Sequence, residues 1–441
     1  MANGSANALG IYISIPFCRS KCTYCNFASG VYPAADHARY VDRAIEDMTC
    51  AAAWAAKMGV QLPRRVDTVY LGGGTPSLLA PELLAKLFAA IRSEFDLDAG
   101  TEITVECAPG QLAEAMPKAL AAAGVNRVSL GVQSFVDAEA HASGRLHNRA
   151  IVEDDLRRLR AAGITNLNVD LIAGLAGQTF ASWEESLDAL VAADVPHASI
   201  YMLEVDEDSR LGREMLSGGS RYRAGMVPSD DAIAQMYERA IERLDAAGIK
   251  QYEISNFSRS GFASRHNLRY WQRRPYLGIG LDASSMLRCD PTLAANTETP
   301  RTSTPHTKTS LRGPLGWGTQ DFVLRITTTD DLKEYLAGPG APETAWLSPE
   351  RQHEEAWFLG LRMNEGVDVA ELEHEFGRDM VAPAMETVER LVDDGLLAFD
   401  GQRVRLTARG RLISNDVFQE FLGTREQGSG IRLVAEQQHE A

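Results

Sequence analysis

Residues 11–27 read IYISIPFCRSKCTYCNF. A short apolar run rich in β-branched residues ends at Pro16, and Cys18, Cys22 and Cys25 follow in the spacing C-x-x-x-C-x-x-C. A strand that ends in a loop of closely spaced thiols sets both the fold and the chemistry. Soft thiolates select iron–sulfur clusters or zinc. A structural zinc site wants four protein ligands, and no nearby Cys or His completes a set, His37 being too far along the chain. Three thiolates suit three irons of a [4Fe-4S] cluster, leaving the fourth iron open to an exogenous ligand. The bland alternative is three incidental buried thiols.

Working outward from this stretch, β-rich runs alternate with helical patterns. The expected strands are 11–16, 68–73, 102–107, 127–132, 167–172 and 197–203, each Val/Ile/Leu-rich and read as buried on both faces. Between them, 34–57, 81–94, 111–123, 149–162, 181–193 and 230–247 read as amphipathic helices, three of which end in Ala-Ala-Gly at 122–124, 161–163 and 246–248. Repeated β-α units imply right-handed crossovers and one parallel sheet, open or curled into a barrel. Residues 250–287 read as further strand and loop.

The expected organisation is a core with its extension over 1–288, a flexible Thr/Pro-rich loop over 289–318, a C-terminal domain over 319–425 and a disordered tail over 426–441. In the C-terminal part, helices at 349–363, 368–376 and 381–394 precede a hairpin turned at Asp400-Gly401 and a last helix, a winged-helix-like pattern. The 441 residues are 45% hydrophobic and 24% charged, with a formal net charge of −16. That balance argues against a nucleic-acid partner. Without an apolar run of membrane-spanning length or a secretory leader, a cytoplasmic location is expected.

A second signal is Gly72-Gly73-Gly74-Thr75-Pro76 after the second expected strand. Glycines there let backbone amides approach a ligand, although a Gly run also makes a plain turn. The same strand edge gathers Glu106, Gln133, Arg145 and Asp170. A lone carboxylate in an apolar strand costs several kcal/mol unless paired. One such group is read as a structural ion pair. Several together are better read as the binding wall of a polar ligand with an amine, a carboxylate and a ribose.

These motifs carry a resemblance. The cysteine loop after the first strand, the GGGTP turn after the second and the β/α repeat resemble the radical S-adenosylmethionine (SAM) superfamily. More narrowly, IYISIPFCRSKCTYCNF, LGGGTPSLL, TVECAPG, GVQSF, GRLHN and LIAGLAGQT are similar to the HemN/HemW family over about residues 10–420. The resemblance implies an α/β fold, a partial (β/α)6 radical SAM barrel with a C-terminal HemN-type domain. It implies Cys18, Cys22 and Cys25 as cluster ligands, and SAM contacts at Tyr12, Tyr24, Gly73, Gly74, Thr75, Glu106, Gln133, Arg145 and Asp170, with Leu203 and Ser284 as weaker matches. The chain departs from the family pattern at Cys107, Ala108, Ala173, Ala176 and Ser284, all around this wall.

Two details separate branches of the family. Coproporphyrinogen oxidases of the HemN type carry a further Cys two positions after the third; here that position is Phe27. The haem-chaperone branch lacks it and carries HNxxYW, matched by His266, Asn267, Tyr270 and Trp271. The resemblance therefore implies haem as cargo, handled by these four residues, with haem-requiring proteins such as membrane respiratory enzymes as recipients and a homodimer as an allowed assembly. His266 offers an imidazole for haem iron, and the two aromatics offer flat apolar surface. Taken alone, a single His in such a run is more often a satisfied core or surface histidine.

Three readings stay open. The first is a haem chaperone carrying a [4Fe-4S] cluster and SAM. The second is a radical SAM enzyme, either a coproporphyrinogen III oxidase or a HemN-like methyltransferase. The third, a nucleic-acid regulator using the C-terminal wing, rests on fold analogy alone.

Overall fold

The structure is a computed structural model that describes residues 8–289 and 322–422. The bulk of the Thr/Pro-rich segment and the whole 426–441 tail lie outside the described residues. Six parallel strands form the centre: β1 (Leu9–Ile15), β2 (Arg65–Gly73), β3 (Asp96–Cys107), β4 (Arg127–Gln133), β5 (Asn166–Ala173) and β6 (His197–Met202). They pair in chain order, as the β/α repeat demands. Beyond β6 lie β7 (Lys250–Gln251) and the antiparallel β8 (Asn256–Ser258), while β9 (Tyr276–Ile279) adds parallel to β1. The sheet continues through β10 (Ser284–Arg288), β11 (Val323–Thr327) and β12 (Glu343–Leu347), all antiparallel. β1 and β6 do not pair, so the barrel is partial. β11 and β12 belong to this main sheet, although the sequence reading groups them with the C-terminal domain.

The parallel strands are buried on both faces over most of their length, as read from sequence, but only one face is apolar. Ile11, Ile13, Val69, Leu71, Val105, Val128, Leu130, Leu167 and Val169 point to the helices and share one core with Leu87, Phe88, Leu156, Trp183 and Leu187. The residues between them face inward and are polar. Pairing stacks these inward residues in layers, because neighbours in register share a face. Thr68 meets Glu102, Tyr70 meets Thr104, Ser129 meets Asn168, and Gly131 meets Asp170. Outer helices end where the sequence places glycine: Gly124, Gly163 and Gly248 all have left-handed φ, at 83°, 91° and 76°.

The segment read as strand and loop contains a helix, Arg265–Trp271. Ser264 caps it through the Asn267 amide, and Glu102 accepts from the Arg265 and His266 amides at 3.1 and 3.0 Å. The C-terminal part packs the helices Pro349–Leu361, Val369–Phe376 and Arg378–Asp393 on a small sheet of β13 (Val367–Asp368), β15 (Arg403–Leu406) and β14 (Leu397–Phe399). Its hairpin turns at Asp400-Gly401, with Gly401 at φ 91°. The expected last helix is broken into Ala408–Leu412 and Ser414–Gln419.

Candidate functional site

Beyond the carboxyl ends of β1–β6 lies a cavity of about 430 Å³. Its lining brings together Cys18, Cys22, Cys25, Tyr24, Gly73, Gly74, Thr75, Glu106, Gln133, Arg145, Asp170 and Leu203. These residues come from β2, β3, β4, β5 and four loops, so they meet only because the strands run parallel.

The cysteine loop is held by backbone on three sides. Cys18 N–H donates to Gly30 at 2.8 Å, Thr23 N–H to Ser143 at 3.0 Å, and Leu211 N–H to Thr23 at 2.8 Å. Lys21 caps its far end through the Phe27 carbonyl and, at 3.0 Å, the Ser29 carbonyl. Gly74 is obligatory here. Its amide donates to Ile15 at 2.8 Å, and a Cβ would stand 2.8 Å from that carbonyl oxygen and 2.9 Å from the one of Phe17. The glycine turn thus clamps the root of the thiol loop.

The carboxylate wall stands opposite. Tyr70 on β2 donates its hydroxyl to Glu106 at 2.7 Å. Burial pushes the Glu106 carboxyl up to about 8, with the Tyr70 hydroxyl and Gly73 amide pulling it back. Asp170 is likewise raised by burial, while Ser199, Ser129 and Asn168 stabilise its charged form. Ser129 donates to it at 2.9 Å and Asn168 at 2.6 Å. Arg145 donates to the Tyr24 hydroxyl at 3.1 Å. Its charge is reinforced by Cys22, Tyr24 and Cys25, despite burial.

Two implied contacts are not in the lining. Tyr12 stacks with Tyr70 and His266 at centroid distances of 6.1 and 6.4 Å, one layer beneath the cavity. Ser284 starts β10 and lies 3.4 Å from the Thr327 hydroxyl.

The four residues expected to handle haem are also elsewhere. His266 is 1% exposed. Its Nδ1 lies 3.0 Å from the Thr68 hydroxyl and its Nε2 lies 2.9 Å from the Tyr270 hydroxyl, so both ring nitrogens are engaged. Asn267, Tyr270 and Trp271 are buried as well. Tyr270 meets Tyr276 edge-on at 4.7 Å, and the Arg362 guanidinium lies 4.4 Å over Trp271. The four residues that the resemblance implies for haem are thus core in this structure, on a helix that closes the amino-terminal end of the barrel.

Sequence reasoning missed Tyr70, Tyr201, Glu204, Asp206 and Ser414 as neighbours of the site. Tyr70 was within reach, since it sits two positions before Gly72 and so on the same strand face. Ser414 comes from the C-terminal part, and no local signal announces that.

Comparisons with known proteins agree with this geometry. Residues 12–190 match the Radical SAM superfamily model and residues 347–413 the HemN C-terminal domain model. The heme chaperone HemW of Lactococcus lactis is 32% identical, covering 93% of this chain and 96% of its own. The chain belongs to the HemW family of radical SAM proteins. The HemW of Haemophilus influenzae is 34% identical over 94% of this chain and 98% of its own. A solved Escherichia coli coproporphyrinogen III oxidase, HemN, superposes with a TM-score of 0.74 at 21% identity, covering 95% and 91% of the two chains, which supports the fold.

Radical SAM membership implies a [4Fe-4S] cluster and SAM. The residues of this HemW-family cavity fit both. Three thiols face one cavity, and among the described residues no three Cys, His, Asp or Glu side chains group as one metal ion would require. A cluster spreads its ligands over separate irons. Gln133 Oε1 and Arg145 Nε are buried without a protein partner among the described residues, an acceptor and a donor that suit a ligand with both. Among the described residues no helix is long and apolar enough to cross a membrane.

Proposed function

We propose that this protein is a haem chaperone, which binds haem and delivers it to haem-requiring proteins while carrying a [4Fe-4S] cluster and SAM. The observation that carries the reading is end-to-end similarity to heme chaperones across both the barrel and the C-terminal domain, with Phe27 in the cavity wall where the oxidase branch has a further thiol. The proposed site residues are Cys18, Cys22 and Cys25 for the cluster, and Tyr24, Gly73, Gly74, Thr75, Glu106, Gln133, Arg145, Asp170 and Leu203 for SAM. When bound, cluster and SAM supply one-electron chemistry at the sulfonium. The chain's own residues would hold and orient: the glycine turn clamps the thiol loop, Glu106 and Asp170 would accept from SAM donors, and Arg145 would balance thiolate charge.

The cavity's electrostatics favour this reading over coproporphyrinogen oxidation. That substrate carries four carboxylates. The cations in the lining are Lys21, turned onto two carbonyls, and Arg145, turned onto Tyr24. Glu204 and Asp206 add negative charge to the same lining. Added negative charge in such a chamber disfavours a polyanion.

The finer assignments are a cytoplasmic location, membrane respiratory enzymes as recipients and a homodimer as the working assembly. Hemin titration of anaerobically reconstituted protein tests the function: a stable Soret complex that transfers haem to an apo-haemoprotein is expected. No complex, together with 5′-deoxyadenosine and a vinyl product from coproporphyrinogen III, overturns it in favour of the radical SAM enzyme.

A further inference from the structure

The HNxxYW helix has its precise contacts with the inward face of β2 and β3. His266 stacks on Tyr70 at a centroid distance of 5.1 Å and an interplanar angle of 26°. Tyr70 in turn donates to Glu106 at 2.7 Å. The imidazole is fixed from both sides, by Thr68 two residues before Tyr70 on the same strand and by Tyr270 one helical turn on. Gly72 leaves the space: a Cβ there would stand 2.7 Å from Glu106 Oε1 and 2.8 Å from the Tyr70 ring.

The helix itself is locked in place. Arg269 is fully buried, bonds the Ala8 and Pro275 carbonyls at 2.8 and 2.9 Å and pairs with Asp67. It passes over Gly10, where a Cβ would stand 2.4 Å from the Arg269 side chain. The Tyr252 hydroxyl accepts from the Ser264 amide at 3.1 Å and lies 2.9 Å from His197. His197 lies 2.7 Å from Asn168, and Asn168 donates to Asp170. Both cavity carboxylates therefore stand on a polar scaffold that ends at this one helix.

We propose that His266 and Tyr70 are positioning residues that hold the Glu106 carboxylate toward SAM, and that the HNxxYW helix is the floor of the SAM chamber and not a carrier of the haem-iron ligand. This rests on the reading that Glu106 contacts SAM. Tyr70 fixes Oε1 of the carboxylate. His266 fixes Tyr70 by lying flat against its ring.

The test uses cluster-reconstituted protein, with SAM affinity by calorimetry and hemin affinity by Soret titration. Tyr70→Phe keeps the ring and removes the hydroxyl. It weakens SAM binding by about tenfold, the effect of losing one hydrogen bond to a charged group. It also moves the pH midpoint of SAM binding to higher pH, because the carboxylate loses a donor that stabilises its charged form. His266→Phe keeps the stack but loses both polar anchors and weakens SAM binding several-fold. His266→Ala, which removes the stack as well as the anchors, weakens it further. Hemin affinity and Soret position stay unchanged in all three. Unchanged SAM affinity in Tyr70→Phe and His266→Phe overturns the proposal, as does loss of the hemin complex in His266→Phe at wild-type SAM affinity. Glu106→Gln separates the underlying reading: if SAM binding ignores it, the assignment of Glu106 fails. If SAM binding needs Glu106 but not Tyr70, the positioning inference alone fails.

Discussion

Asp67 shows what a single buried side chain holds together. It is 1% exposed and faces Arg269, Arg265 and Arg274 at once. Removing one partner of a buried ionic group strands the others. Asp67→Asn is expected to lower the unfolding free energy by about 3–5 kcal/mol in urea titration. A loss below about 1 kcal/mol, the range of exposed pairs, would show that water reaches the site. The cysteines act differently, through chemistry more than packing. Serine at Cys18, Cys22 or Cys25 is expected to abolish iron and sulfide retention after reconstitution while leaving the far-UV circular dichroism intact. Retention of a full cluster in any of the three would remove that residue from the ligand set.

Among the elements, the thiol loop and the glycine turn work as one unit, since the Gly74 and Thr75 amides donate to Ile15 and Phe17 at 2.8 Å. Gly74→Ala forces a Cβ against two carbonyl oxygens that cannot yield without moving the loop. The expected result is a folded protein with reduced cluster content and weakened SAM binding; full cluster content in Gly74→Ala would contradict the clamp. The strands were legible from sequence as short β-branched runs, although β2 and β3 begin earlier than expected, at Arg65 and Asp96, and three helix ends were legible because Gly124, Gly163 and Gly248 mark where helices must stop. Their inward polar face was equally written in the alternation of RVSLGVQ, residues 127–133. The apolar members dominate such a run to the eye, and only pairing shows that Arg127, Ser129 and Gly131 form a face, with Gln133 reaching the cavity past an irregularity in the register. The helix Arg265–Trp271 was not legible, because seven residues with one cap and two following arginines give little periodicity.

Across the whole molecule, several connections tie barrel and C-terminal domain together. Ile254 N–H donates to Arg362 at 3.1 Å, Asn364 bonds the Gln251 carbonyl at 2.8 Å, and Arg362 lies over Trp271. Trp271 belongs to the C-terminal core while its neighbour His266 lies beneath the cavity. Trp271→Ala is expected to cost about 3–5 kcal/mol and to separate the C-terminal transition from that of the barrel in thermal unfolding. A single unshifted transition would show that the two parts are coupled by other means. Acid should also weaken both parts. Burial lowers His147 in the barrel and His353 beside Trp357 to about 4 each. The unfolded chain takes up these protons near 6.5 and the native state does not until about 4. Stability is therefore full above 6.5 and falls as pH drops toward 4. His353→Gln should flatten that slope in urea titrations across the window; an unchanged slope would show that His353 does not contribute.

The sequence by itself determined the thiol loop, the glycine turn, the order of β/α units and the polar cavity residues Glu106, Gln133, Arg145 and Asp170, because each is signalled by a pattern within a few neighbouring positions. Only the tertiary structure decided where His266 goes. Its nearest polar partner, Thr68, is 198 positions away. An imidazole is equally suited to iron and to a pair of hydroxyls, and which it meets depends on long-range packing that no local pattern encodes.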